Sequence, residues 1–199
     1  MFSPVTAMLP SLIANYHRRF PGIEIHLREG LHGAVREDVR SGLADFGLGF
    51  AEDALGTFVT EHLGVERLYV ILPAGHALAC KSKLALPALT GQPLVSFPSE
   101  SMTRRLIDTA AATHGLRLQH AITTNRLATL HGLVRNGIGI AVVPASERPS
   151  QNDPHLLTRP LIGRSLSCRI CLMRLREREL SPAAATFMNL ARTWYHRAR

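Results

Sequence analysis

Two cysteines of this chain lie three positions apart, a spacing that is typical of redox and metal sites. Cys168 and Cys171 form the C-x-x-C pattern found in redox motifs and zinc sites. The apolar run at residues 166–175 predicts a strand, in which side chains three positions apart point to opposite faces. We therefore interpret them as two unrelated thiols. The chain has three cysteines, and this odd count favours reduced thiols in a cytoplasmic protein.

Two glycines resemble a fragment of a dinucleotide-binding fingerprint. Gly137 and Gly139 have the right spacing, but they follow a predicted helix, whereas that motif must follow a strand. We interpret Gly137 as the left-handed terminator of the helix and Gly139 as a position of close backbone packing. The sequence contains no Gly-x-Ser-x-Gly elbow and no His-Glu-x-x-His motif. We expect a chain that binds a ligand but catalyses no reaction, with no cofactor and no metal.

Hydroxyl side chains recur where helices are predicted to begin. They lie at residues 3–6, 99–103 and 123–125, and His32 opens a further helix. A helix N-terminus presents unpaired N–H groups and a partial positive charge, so it favours an anionic ligand. Each hydroxyl has a second interpretation, a helix cap without a ligand. For His32 the second interpretation is a solvent-facing or capping histidine. A metal-ligand role is not favoured, because no second ligand lies at a usable spacing.

Alternating helices and strands must position these residues. Apolar residues at helical spacing, or alternating with polar ones, divide the chain into two series typical of parallel sheets with crossover helices. The first series comprises a helix at 5–20, a strand at 23–27, a helix at 31–43, and strands at 45–50 and 68–72. The second comprises strands at 94–97, 121–123 and 138–143. One helix of this series begins at residue 101 and stops at Gly115, and another begins near Leu127 and is capped by Gly137. A strand at 166–175 and a helix opened by Ser181-Pro182 follow.

The charge and hydropathy exclude several classes of protein. The 199 residues carry a formal net charge of +8, but the basic residues are scattered, without a zinc-finger spacing or a convincing helix-turn-helix. No apolar run approaches the roughly 18 residues of a membrane helix. The first residues lack a secretory signal pattern. We expect a cytoplasmic protein without a membrane partner.

Three stretches together resemble the effector-binding domain of LysR-type transcriptional regulators. Residues 9–12 read LPSL, followed by Tyr16, Phe20-Pro21, LREG at 27–30 and SGLAD at 41–45. Residues 66–73 read ERLYVILP, followed by Gly75-His76 and Leu78-Ala79. Residues 133–144 read LVRNGIGIAVVP. Their order and spacing cover nearly the whole chain, which makes the resemblance specific.

The resemblance implies a fold and a division of the chain. The fold is α/β, with two Rossmann-like lobes joined by two crossing strands, as in type 2 periplasmic binding proteins. Residues 1–72 and 171–199 would form the first lobe, and residues 73–170 the second, with an effector between them. The family's N-terminal winged helix-turn-helix has no counterpart in this sequence, so we expect promoter DNA binding only through that missing module.

The resemblance also implies partners and site residues. The effector is expected to be an organic acid or an aromatic compound, and the protein a homodimer or tetramer. Arg104 and Arg105 are expected on the surface, and the alternative for Arg104 is an ion pair with a ligand carboxylate. The alternative for Phe50 is an ordinary core residue. The residues expected to contact the effector are Ser3, Val5, Thr6, His32, Phe50, Ser99, Ser101, Met102, Thr103 and Thr124.

Two other functions remain open from the sequence. A solute-binding protein of a transporter shares the expected fold, but the lack of a signal peptide and the stretches at 66–73 and 133–144 favour the regulator. An enzyme on the same scaffold is the third alternative, and it has no motif in its favour.

Overall fold

Helices and short strands alternate along most of the chain. The computed structural model describes residues 9–50, 56–163 and 166–197, with side chains up to residue 195. The helices of this described part are α1 (Leu9–Arg19), α2 (His32–Ser41), α3 (Met102–Thr113), α4 (Leu127–Arg135) and α5 (Pro182–Arg197). The strands are β1 (Gly47–Phe50), β2 (Phe58–Pro73), β3 (Leu84–Ala85), β4 (Pro93–Ser96), β5 (Gln119–Thr123), β6 (Ala141–Pro144), β7 (Leu156–Ile162) and β8 (Ser167–Leu175).

The chain divides into two compact units. The central unit comprises residues 66–168, and the terminal unit comprises the residues before 66 together with those from 169 onwards. Both boundaries lie inside strands, the first in β2 and the second in β8.

The terminal unit packs its helices on an antiparallel pair of strands. β1 pairs with β8 from Gly47 opposite Met173 to Phe50 opposite Ile170. Val39 of α2 is buried in a cluster with strand residues of this unit, which fixes α2 against the sheet. The α1 helix packs against α5, where the Tyr16 hydroxyl donates a hydrogen bond of 2.9 Å to the carbonyl oxygen of Ala183.

The central unit contains the larger apolar core. The second half of β2 pairs antiparallel with β6 on one side and with β7 on the other. A separate parallel pair, β4 with β5, is joined by a bridge between Leu94 and Ile140. The buried cluster of this unit brings together strand and α4 side chains: Ile71, Val95, Phe97, Leu130, Val134, Ala141, Val143 and Leu156.

The predicted strand at residues 23–27 is wrong. Residues 23–30 belong to no strand in the structure, and Leu27 at the end of the alternating pattern is 54% exposed. An isolated alternating segment has no hydrogen-bonded neighbour to hold it extended, and no described segment pairs with this one. The alternating pattern reflects the half-burial of the Ile23 and Ile25 side chains and does not indicate a strand.

Strands that the sequence did not predict also carry the sheet. β2 begins at Phe58, ten residues before the predicted start, because its first half mixes polar and apolar side chains without a clean period. β7 contains Pro160, which argues against a strand by pattern. Pro160 lies opposite Tyr69 of β2, and the strand on the other side, β3, pairs only with Leu161 and Ile162.

The predicted helix ends are confirmed. The Ala184 backbone N–H donates to the Ser181 Oγ at 3.1 Å, which is the expected N-cap of α5. Gly137 has φ +74° just after α4, and its N–H donates to the carbonyl oxygen of Val134 at 2.9 Å. Gly139 lies so close to β4 that a Cβ there would stand 2.2 Å from the Pro93 carbonyl oxygen.

We predict that Gly139→Ala lowers the free energy of unfolding by about 1–3 kcal/mol, because a backbone carbonyl cannot move aside as a flexible side chain would. Gly132→Ala is the matched control, since its Cβ would meet nothing within 4 Å and lies inside α4. That control should gain up to about 1 kcal/mol from helix propensity. Urea denaturation measures both, and equal stability of the two variants would contradict the close approach.

Candidate functional site

The first turn of α3 follows directly from the carboxyl end of β4. β4 ends at Ser96, a turn closes with the Ser101 N–H donating to the Pro98 carbonyl oxygen at 2.9 Å, and α3 begins at Met102. The first hydrogen bond of the helix runs from the Arg105 N–H to the Ser101 carbonyl oxygen. The N–H groups of the preceding positions have no partner within the helix, so they can bind a negative group.

The side chains of this turn differ in exposure. Ser101 is 0% exposed and Thr103 is 2% exposed, whereas Ser99 is exposed and Met102 is half-buried. Ser101 occupies the N-cap position of α3, yet its side chain makes no capping hydrogen bond to the helix. The cap-only interpretation of Ser101 is therefore wrong.

Thr124 reaches the same end of the sheet from β5. Its backbone N–H donates to the Ser96 carbonyl oxygen at 2.9 Å. Its hydroxyl oxygen accepts a hydrogen bond of 3.2 Å from the Arg126 N–H, which precedes α4 instead of lying within it. Thr124 thus closes a local turn and does not cap the helix, and β4 and β5 together bring Ser96, Thr124 and the α3 turn to one edge.

Arg104 is not the surface residue that the sequence indicated. Its side chain is only 15% exposed. Its Nε donates to the Asp108 Oδ2 at 2.5 Å, one helical turn further along α3, and its terminal nitrogen donates to the Phe97 carbonyl oxygen at 3.4 Å. The guanidinium is therefore held beside the start of the helix. Arg105 is exposed, as expected.

His120, which was not predicted from the sequence, links this helix to the sheet. Its Nδ1 lies 2.6 Å from the Ser96 Oγ and its Nε2 lies 2.9 Å from the Asp108 Oδ1. Burial, and then the charge of Arg104, lower the pKa of His120 below its ordinary value of 6.5. The i, i+4 spacing of Arg104 and Asp108 is visible in the sequence, but the approach of β5 to α3 is not.

The order serine, histidine, aspartate is also that of hydrolytic triads, so the accessibility of the serine matters. Ser96 is buried, between Leu94 and Phe97 of the same strand end and the residues of α3. No Gly-x-Ser-x-Gly turn presents its hydroxyl, which instead lies 2.6 Å from the His120 Nδ1 at the end of β4. The arrangement fits a hydrogen-bond link between α3 and the sheet.

The two candidate residues of the terminal unit that the structure describes are buried. His32 is the first residue of α2, whose N-cap is Leu31. The expected solvent-facing or capping role of His32 is therefore wrong. Phe50 ends β1 and is buried opposite Ile170, as the core interpretation expects. Ser3, Val5 and Thr6 lie outside the described residues.

The central unit contains a second polar cluster, which was not predicted from the sequence. The Glu66 Oε2 accepts hydrogen bonds from the Ser146 hydroxyl at 2.8 Å and from the Ser146 N–H at 3.2 Å. Glu147 is 2% exposed, and its Oε2 has no hydrogen-bond partner among the described residues. Burial, and then the nearby charge of Glu66, raise the pKa of Glu147 well above its ordinary value of 4.5. Single acidic residues carry no sequence signal of such burial.

The three cysteines are free thiols. Burial raises the pKa of Cys168 to about 12 and that of Cys171 to about 11, so both thiols stay protonated at neutral pH. Cys80 is exposed, in a short 3-10 turn after β2.

The described part of the chain holds neither a candidate metal site nor a helix that could span a membrane. Across residues 9–50, 56–163 and 166–197, no three His, Cys, Asp or Glu side chains come together in a way that could hold a metal ion. None of the helices described there combines the length and the apolar character that spanning a membrane requires.

Parallel strands whose carboxyl ends meet the N-terminus of a helix define a ligand-binding α/β domain. The chain belongs to the LysR substrate binding domain family, whose model matches residues 2–195. The fold is that of the periplasmic-binding-protein-like effector-binding domains of LysR regulators. The predicted family and fold class are therefore confirmed, and the transporter alternative is not favoured.

Individual relatives agree with this assignment. An uncharacterized HTH-type transcriptional regulator, YfeR of Shigella flexneri, is 31% identical over 93% of this chain and 60% of its own length. The CcmR regulatory domain of Synechocystis PCC6803, solved in complex with 2-PG, superposes with a TM-score of 0.87 at 19% identity, covering 96% of this chain and 92% of that one. The effector binding domain of QuiR with shikimate has a TM-score of 0.83 at 19% identity, covering 96% and 91%. The chain spans about three fifths of the length of the curated relatives it matches.

We predict that Glu147→Gln stabilises the protein increasingly as pH rises. A carboxyl whose folded pKa lies above 4.5 binds its proton more tightly when folded, so the wild type loses stability as pH increases from 4.5 towards that folded pKa. Glutamine is neutral throughout and does not incur this loss. Urea denaturation at pH 5 and pH 8 should show a larger advantage at pH 8, with the exposed Glu100→Gln as control. An advantage that is equal at both pH values would contradict a buried, proton-retaining Glu147.

Proposed function

We propose that this domain senses a small anionic effector and thereby regulates the DNA binding of a LysR-type transcriptional regulator. The observation that carries the proposal is the first turn of α3, which follows the carboxyl end of β4. Its N–H groups, the buried Ser101 and Thr103, and the held guanidinium of Arg104 all favour a negative group.

The class of ligand follows from this chemistry. Hydroxyls and helix N–H groups donate hydrogen bonds, and a carboxylate or phosphate accepts several of them at once. The relatives solved with shikimate and 2-PG bind small molecules within the same fold. We infer a small organic acid or an acidic aromatic compound, contacting Ser99, Ser101, Met102, Thr103 and Thr124 from the central unit. Ser3, Val5, Thr6, His32 and Phe50 stay predictions from the sequence, and the burial of Phe50 favours its core role.

The wider role rests on the family. The curated relatives are transcriptional regulators, so we infer that the domain responds to its ligand without catalysis. Promoter recognition would belong to a separate winged helix-turn-helix module. We infer a cytoplasmic protein, because promoter DNA and metabolites meet in that compartment.

We predict that removing the Thr103 hydroxyl weakens the binding of an acidic effector. Both Ser101 and Thr103 are buried, so an introduced carboxylate would disturb folding, and Thr103→Val and Ser101→Ala are the sharper changes. Each should cost about 1–2 kcal/mol of binding free energy, the contribution of one hydrogen bond to a charged group. Thr113→Val, at the exposed other end of α3, is the matched control.

The measurement has two stages. A thermal-shift screen of acids, amines and neutral sugars identifies a ligand, because a compound at a hundred times its Kd adds about 2.7 kcal/mol to stability. Calorimetry then compares the wild type with the three variants. If amines or neutral compounds bind best, or if all four proteins bind the acid equally, the proposed anion site is wrong.

We also predict self-association through α1 and α4, as family members assemble. Ala14 of α1 and Ala128 of α4 are exposed, so Ala14→Glu and Ala128→Glu leave the folded core unchanged. Each should shift sedimentation from dimer towards monomer at high micromolar concentration, because it places a charge in an apolar contact. Ala112→Glu, exposed on α3, should sediment as wild type. A wild type that is monomeric throughout would reject this interface.

A further inference from the structure

Four side chains of the central unit form one continuous series of hydrogen bonds. It runs from Ser96 on β4 to His120 on β5 and then to Asp108 and Arg104 on α3, and we call it the His120 chain. Its contacts measure 2.6 Å from the Ser96 Oγ to the His120 Nδ1, 2.9 Å from the His120 Nε2 to the Asp108 Oδ1, and 2.5 Å from the Arg104 Nε to the Asp108 Oδ2. The His120 chain joins the sheet to the start of α3, where the proposed anion site lies.

The hydrogen-bond directions of the neutral state follow from the donors available. An ionised carboxylate only accepts, so the hydrogen on the His120 Nε2 is donated to Asp108. The His120 Nδ1 then carries a lone pair and accepts the hydroxyl hydrogen of Ser96. One carboxylate thus serves both His120 and Arg104.

Protonation of His120 changes this arrangement without breaking it. A second hydrogen on Nδ1 is donated to the Ser96 Oγ, and the Ser96 hydroxyl must direct its own hydrogen elsewhere. The contact between His120 and Asp108 becomes a pair of opposite charges. The Asp108 charge is then shared between two cations, so the charge of Arg104 is less compensated.

We infer that the His120 chain couples anion binding at the first turn of α3 to the uptake of one proton by His120. The affinity for an anion then increases as pH falls through the titration of His120. This inference rests on the proposed function, because it requires an anionic group at that turn. His120 acts through Arg104 and Asp108 and is a positioning residue.

The surroundings of His120 contain few competing charges. α3 contributes the carboxylate of Asp108 and the guanidinium of Arg104, and β4 contributes only the Ser96 hydroxyl. Burial, and then the charge of Arg104, lower the pKa of His120, so without an anion it gains its proton at a lower pH than an ordinary histidine does. A bound anion offsets the charge of Arg104 and so favours the protonated form. The coupling is reciprocal, and the pKa of His120 must rise when the anion binds.

The test uses sulfate, which stays a dianion across the range studied. Amide chemical shifts of residues 102–104 measure sulfate binding to the purified chain at pH 5.5 and pH 7.5, and imidazole resonances measure the His120 titration. We expect about five-fold tighter binding at pH 5.5, together with a raised pKa of His120 when sulfate is present. His120→Gln should bind sulfate with little dependence on pH.

His114→Gln is the matched control. His114 is exposed at the end of α3, and its Nδ1 contacts the Ala110 carbonyl oxygen, which does not belong to the His120 chain. It should retain the pH dependence of the wild type. Sulfate binding that is equal at both pH values, or that depends on pH equally in His120→Gln, overturns the coupling and leaves the proposed function standing. If the amides of residues 102–104 do not respond to sulfate at either pH, the anion site and the coupling are both rejected.

Discussion

The backbone pairing of β4 on both of its edges is the constraint on which the central unit depends. β4 is four residues long, yet it pairs in parallel with β5 and accepts the approach of residues 139–140 on its other side. The Ile140 N–H donates to the Pro93 carbonyl oxygen at 2.9 Å, and the Val95 N–H donates to the Ile140 carbonyl oxygen at 2.8 Å. Because Gly139 has no side chain, the chain can pass close enough to make these bonds.

This pairing determines where polar groups collect. The carboxyl ends of parallel strands meet at one edge, so Ser96 and Thr124 become neighbours although they are far apart in sequence. The α3 helix begins at the same edge and adds its own N–H groups. The position of the proposed site is thus set by backbone topology, because the sheet and the start of α3 bring these groups together.

Sequence periodicity predicted the parts of the fold that local pattern controls. The α3, α4 and α5 helices, β4 to β6, and the ends at Gly137 and Ser181 follow from apolar spacing and end chemistry. The false strand at 23–27 and the missed β7 depend on a partner strand, which no local pattern contains. The proposed effector site was predicted from hydroxyl side chains at helix starts, and it stays a prediction. His120 and Glu147 were not predicted, because their roles depend on tertiary structure. His120 bonds a residue of another element and Glu147 is buried, and neither property is visible in the local sequence.

The uneven environment of the three thiols makes the protein suitable for single-site labelling. Cys80 is exposed, whereas Cys168 and Cys171 are buried and remain protonated at neutral pH. A maleimide reacts with accessible thiolate, so it modifies Cys80 in the folded chain and spares the other two. A fluorophore can therefore be attached to the central unit without replacing any residue, and its emission would report changes in that unit directly.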